Sequence, residues 1–168
     1  GVDFLVTNPK HECSHHHDGI PMSSAWLKSA LTKGDFVSYV TLKSDEANLR
    51  AGPGLEYPVL WQYRTPKLPV RVDAEFGIWR KIVDHDGTAG WMHGSVLSLS
   101  RMALVKTDMA KIHDSPDPSS NVIALAERNA LMELQSCPKS WCRVQAEKVR
   151  GWIKRQAIWG LLQTESLD

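Results

Sequence analysis

The sequence is poor in the features that announce most classes of function. No apolar run approaches the roughly 18 residues needed to cross a bilayer as a helix, and the longest helix-like stretch, Ser23–Lys33, is short and broken by polar residues. The formal net charge is +1, with seven basic and seven acidic side chains over residues 36–100 and ten and eight over 101–168. No basic face is therefore offered to a nucleic acid. Cysteine is limited to three residues. Catalytic patterns are missing too: His85, His93 and His113 are scattered, and Asp84 and Asp86 fall in a turn. Ser95 follows Gly94 but lacks the G-x-S-x-G surround of a nucleophile elbow. These gaps direct the reading away from membrane-spanning, nucleic-acid and enzymatic roles.

What the chain does have is tryptophan, seven in 168 residues, and the positions of these residues repeat. Setting Ala47 above Ala110 aligns Leu49 with Ile112, Pro53 with Pro116, Val59 with Val122 and Leu60 with Ile123. Further on, with one-residue gaps, Trp79 meets Trp141, Ile82 meets Val144, Gly90 meets Gly151 and Trp91 meets Trp152. We read two copies of one module of about 60 residues. Each copy shows short runs of alternating apolar residues. Leu68, Val70 and Val72 lie on one face with Lys67, Arg71 and Asp73 on the other, and Ala130, Met132 and Leu134 repeat the pattern. Asp86-Gly87 between two apolar runs signals a hairpin, because glycine accepts positive φ without a steric cost. Short strands with turns every 8–12 residues predict a small all-β barrel per copy, closed by a one-turn helix before the last strand.

"AGPGLEYPVL" at residues 51–60 raises a different possibility, a phosphate-cradling loop. Such a loop is followed by a helix carrying Lys-Ser/Thr, and neither is present. The second copy replaces Gly-Pro-Gly with Ser-Pro-Asp, so the shared element is a turn.

These elements, "NLRAGPG", "YPVLW", "LPVRV", "WRKI" and "GTAGWMH" in copy one with "WCRV", "VRGWI" and "IWG" in copy two, resemble the bacterial SH3-like (SH3b) family. They look in particular like the tandem form found in exported alphaproteobacterial proteins, and the resemblance covers roughly residues 36–162. It implies an exported, non-enzymatic module of the cell envelope that binds peptidoglycan or an envelope protein. The acidic "ALYDY" pattern of eukaryotic SH3 domains is absent, so recognition of PxxP peptides is not carried over.

Cys137 and Cys142 flank "PKSW" across a predicted four-residue hairpin turn, a separation that a disulfide can close. A bridge there fits an oxidising compartment such as the periplasm; two reduced thiols are the alternative. The tract "HECSHHHD" at residues 11–18 carries imidazoles and a thiolate, and His11, Cys13, His15 and His17 are candidate ligands for zinc or nickel. It lies outside the repeat with no periodicity to fix its geometry, so adventitious metal binding by a leader segment is the plainer reading, and no cofactor is expected.

Among the aromatics, Trp79, Trp91, Trp141 and Trp152 are shared between the copies and are assigned to the barrel core or its groove. Tyr57, Trp61 and Tyr63 face Ser120, Ala124 and Ala126 in the alignment, and this difference makes them candidates for a recognition surface special to copy one. The expected organisation is an N-terminal extension over 1–35, part helical, SH3-like barrels over 36–100 and 101–163, and a tail over 164–168. The expected function is binding to peptidoglycan or an envelope protein. A structural or regulatory protein-interaction module without glycan affinity is the alternative, followed by metal binding through the His tract.

Overall fold

A computed structural model describes residues 4–6, 13–15, 38–162 and 165–167 of the chain. It divides into two compact units, Lys10–Ser100 and Gly1–Pro9 with Arg101–Asp168. Two short strands come first, β1 (Phe4–Val6) and β2 (Cys13–His15). Barrel one then runs β3 (Ser38–Leu42), β4 (Ala47–Arg50), β5 (Val59–Tyr63), β6 (Pro69–Phe76), β7 (Trp79–Val83), β8 (Ala89–His93) and β9 (Leu97–Ser98). Barrel two follows as β10 (Met102–Val105), β11 (Met109–His113), β12 (Val122–Glu127), β13 (Leu131–Ser136), β14 (Trp141–Ala146), β15 (Val149–Lys154) and β16 (Ile158–Trp159). The strand orders are β2-β5-β4-β8-β7-β6-β3-β9 and β1-β12-β11-β15-β14-β13-β10-β16. Replacing each strand of the first by its repeat partner yields the second.

The physical basis of the repeat is visible at equivalent positions. In β6, Val70, Val72 and Ala74 point inward and are buried, while Arg71 and Asp73 pair on the outer face at 2.6 Å. In β13, Met132 and Leu134 take the inward positions. The register of β6 against β7 shifts between Val72 and Ala74, and that of β13 against β14 between Leu134 and Ser136. Such bulges sharpen the twist and let a short sheet curl on itself. Lys67 and Asn129 both adopt positive φ, 67° and 69°, at the turn into these strands. Gly90 and Gly151 mark the tightest crossings. A Cβ on Gly90 would lie 2.8 Å from the Arg50 carbonyl oxygen, and one on Gly151 would lie 2.6 Å from that of His113. The glycines therefore let β8 cross β4 and β15 cross β11, which explains why Gly-Trp recurs in both copies. A 3-10 turn precedes the last strand of each barrel, at Gly94–Val96 and Arg155–Ala157.

Described residues near both ends of the chain contact the barrels. Within the stretch expected as an N-terminal extension, β1 adds to the outer side of β12 and β2 to the outer side of β5. The helix expected over Ser23–Lys33 lies outside the described residues. At the other end, Glu165 receives a two-pronged ion pair from the Arg101 guanidinium, and Leu167 bridges to Cys137. The tail is thus fastened to barrel two.

Candidate functional site

The three aromatics singled out in copy one do not form a common face. Tyr63 is 2% exposed, and its hydroxyl donates to Asp84 Oδ2 at 2.7 Å. Asp84 Oδ1 accepts the backbone N–H groups of Asp86 and Thr88, both at 2.9 Å, so Tyr63 braces the β7–β8 turn from inside the barrel. Tyr63 is thus buried and braces that turn, and it does not lie on an exposed face with Tyr57 and Trp61. Trp61 lies on the same side of β5, half-buried, with its ring 6.2 Å from that of Tyr63. Tyr57 sits elsewhere, in the loop before β5, with its ring laid on Gly52: a Cβ there would meet Cδ1 at 2.4 Å. The same loop is held by Arg50, whose Nη1 donates to the Leu55 and Tyr57 carbonyl oxygens at 3.2 and 2.8 Å. The Gly-Pro-Gly turn thus makes room for an aromatic ring.

Among the shared tryptophans, Trp91 is fully buried, whereas Trp79, Trp141 and Trp152 are half-buried. Trp79 and Trp141 each carry a histidine edge-on at 5.2 Å, but from different positions. In barrel one it is His93, at the end of β8. Its Nδ1 accepts the Ser95 N–H at 3.1 Å, so the ring proton belongs on Nε2. In barrel two it is His113, from the bulged end of β11, 5% exposed. Its Nδ1 lies 3.1 Å from the Ser120 carbonyl oxygen, which can only accept. A proton on Nδ1 therefore satisfies that oxygen. Lys154, at the position equivalent to His93, places its Nζ 6.0 Å from the Trp141 ring centroid, the outer limit of a cation–π contact.

His113 and Lys154 line a groove of about 430 Å³ in barrel two, together with Met109, Lys111, Pro118 and their neighbours, and the Trp141 ring packs against both from outside that lining. Strand period places Met109, Lys111 and His113 on one side of β11, because Ala110 and Ile112 fill the core on the other. No carboxylate lines the groove among the described residues, and two exposed ammonium groups do. The Asp114–Ser120 loop closes one side. There the Ser119 backbone N–H, followed by its hydroxyl, holds the Asp117 carboxyl below its ordinary range. An apolar floor, an aromatic flank and two cations suit a ligand with carboxylates and small apolar groups. Sequence reading reached Trp141 but missed Met109, Lys111, His113 and Lys154. The usable signal was the outward face of β11, Met-x-Lys-x-His, where copy one has Glu46, Asn48 and Arg50.

Barrel one has a different cleft, about 340 Å³, between β3, β6 and the β9 region. Ile78 and Leu99 on its rim are 51% and 86% exposed. Cys137 and Cys142 form a disulfide with Cα atoms 4.1 Å apart, joining the ends of β13 and β14 as expected. Of the metal candidates, His11 and His17 lie outside the described residues, and Cys13 and His15 are described only as backbone positions of β2. No cluster of three His, Cys, Asp or Glu side chains is placed to hold a metal ion among the described residues.

The profile of the bacterial SH3 domain matches residues 43–98 and again residues 106–160, more than half of the chain in total. The chain belongs to the bacterial SH3 domain family. Bacterial SH3 domains commonly bind the cell wall and are typically non-catalytic binding modules. The tandem arrangement, the β-rich fold and the disulfide agree with this membership. Among solved structures, NlpC2 from Trichomonas vaginalis is similar over 76% of this chain at 13% identity, with a TM-score of 0.35. The chain spans 49% of the length of that structure. No curated protein matches the sequence.

Proposed function

We propose that this tandem bacterial SH3 protein is a non-catalytic module that binds peptidoglycan in the periplasm through the groove of barrel two. The observation that carries the reading is the apolar-floored groove lined by Lys111, His113 and Lys154 without a carboxylate among the described residues, with the Trp141 ring against His113 and Lys154. Peptidoglycan stem peptides present carboxylates beside methyl groups, which two ammonium groups and Met109 can receive. Their sugars offer faces that stack on aromatic rings. The disulfide and the family fit an exported protein, and no described helix is long and apolar enough to cross a membrane. Tyr57 and Trp61, half-buried in barrel one, are proposed as a lesser second contact.

A second reading, binding of an envelope protein, is favoured by the exposed Ile78 and Leu99 of barrel one, since apolar side chains around a cleft suit a polypeptide partner. Co-sedimentation of the full chain with purified sacculi separates the two. The parent chain should pellet, and Lys111→Glu/Lys154→Glu should weaken pelleting by about tenfold, or roughly 1.4 kcal/mol. Pelleting that is unchanged in this variant but lost in Tyr57→Ala/Trp61→Ala would move the site to barrel one. No pelleting of the parent would remove the glycan reading and leave the protein partner.

A further inference from the structure

The rungs on which β1 and β2 dock are equivalent. Cys13, Ser14 and His15 pair with Tyr63, Gln62 and Trp61. Phe4, Leu5 and Val6 pair with Ala124, Leu125 and Ala126, the positions that the repeat aligns with Trp61, Gln62 and Tyr63. The first pairing is antiparallel and the second parallel. One edge of the module therefore takes an added strand in either direction. Backbone N–H and C=O groups supply the part of that attachment common to both directions.

The two edges differ in what lies beneath them. Barrel one fills its inward positions with Trp61 and Tyr63, and Tyr63 is tied to Asp84. Barrel two has Ala124 and Ala126 there, both fully buried, and Ala146 at the position of Asp84. The missing volume is filled from outside: Val6, opposite Ala126, is 6% exposed and belongs to the core cluster of barrel two. Leu5 alternates outward and is 44% exposed.

We propose that the outer edge of β12 is a strand-acceptor site. It takes an extended apolar polypeptide segment with an aliphatic residue at the inward rung opposite Ala126, and Phe4–Val6 is the chain's own occupant, which a partner's strand displaces. The small inward alanines set side-chain preference, and the backbone edge sets affinity. This site is separate from the glycan reading, which its failure would leave untouched.

The test uses the full chain and a labelled peptide of residues 1–9. Val6→Asp places a carboxylate in the core and should release the internal strand. The peptide should then bind that variant about tenfold or more tightly than it binds the parent, whose edge is occupied. A Val6→Asp peptide should not bind. Failure of the unaltered peptide to bind a folded Val6→Asp chain, or equal binding of the Val6→Asp peptide, overturns the proposal. A second measurement covers loss of folding in that variant. With Cys13→Ser and Leu125→Cys in an otherwise native chain, a peptide carrying Leu5→Cys should form a mixed disulfide at least about tenfold faster than a scrambled peptide, through local effective concentration. Equal rates overturn the proposal.

Discussion

Tyr63, Asp84 and the two backbone N–H groups on Asp84 form a closed set inside barrel one. Removing the phenol leaves a buried carboxylate oxygen without its donor. Tyr63→Phe should lower the unfolding free energy by about 2 kcal/mol in a urea titration, with sacculus binding unchanged. Unaltered stability together with lost binding would make Tyr63 a ligand contact instead. From the sequence, Tyr63 looked like a recognition residue because copy two has alanine in its place. The partner that explains the difference, Asp84, lies 21 residues away and is replaced in step by Ala146. A single residue's alignment could not show that coupling. Tyr57 is similar, since only its ring packed on Gly52 reveals why the loop needs glycine.

At the scale of elements, the turn into β6 holds Lys67 at a φ of 67°, where the second barrel uses Asn129 at 69°. Asparagine tolerates the left-handed region better than lysine. Lys67→Asn should therefore raise stability by about 0.5 kcal/mol, visible as a higher denaturation midpoint at constant slope. The tail behaves as an element as well. Its ion pair with Arg101, then its hydrogen bond from the Leu162 N–H, hold the Glu165 carboxyl below the ordinary 4.5. With the folded value depressed, the contribution is complete above 4.5 and declines as pH falls through the folded value. Glu165→Gln should cost about 1 kcal/mol at neutral pH, and the cost should shrink as pH falls through the folded value, measured by unfolding across pH. A constant difference would assign the effect to packing. The long strands and hairpins were legible from period-two alternation, Asp-Gly and the recurring Gly-Trp. The strands β1 and β2 were not, because three-residue strands take their identity from an edge more than 45 residues downstream, as with Cys13 and Tyr63.

For the whole molecule, one fold is used twice with different surfaces. The repeated glycines, bulges and inward apolar positions keep both barrels in the same strand order, and the outward residues diverge. Barrel one buries Tyr63 and Trp91 in its interior, while barrel two exposes Met109, Lys111 and Lys154, the last of them beside Trp141. Family membership was therefore readable from the shared residues. The groove was not, because it depends on which unshared residues the barrel brings together: His113 and Lys154 lie 41 positions apart in sequence and meet on one indole.

The most direct measurement is a titration of the isotopically labelled full chain with a soluble disaccharide–stem-peptide fragment of peptidoglycan, followed by amide and indole N–H shifts. Saturable shifts centred on the Trp141 indole and the amides of Lys111, His113 and Lys154 are expected. Shifts confined to barrel one, or none at ligand concentrations that saturate sacculus binding, would contradict binding in the groove of barrel two.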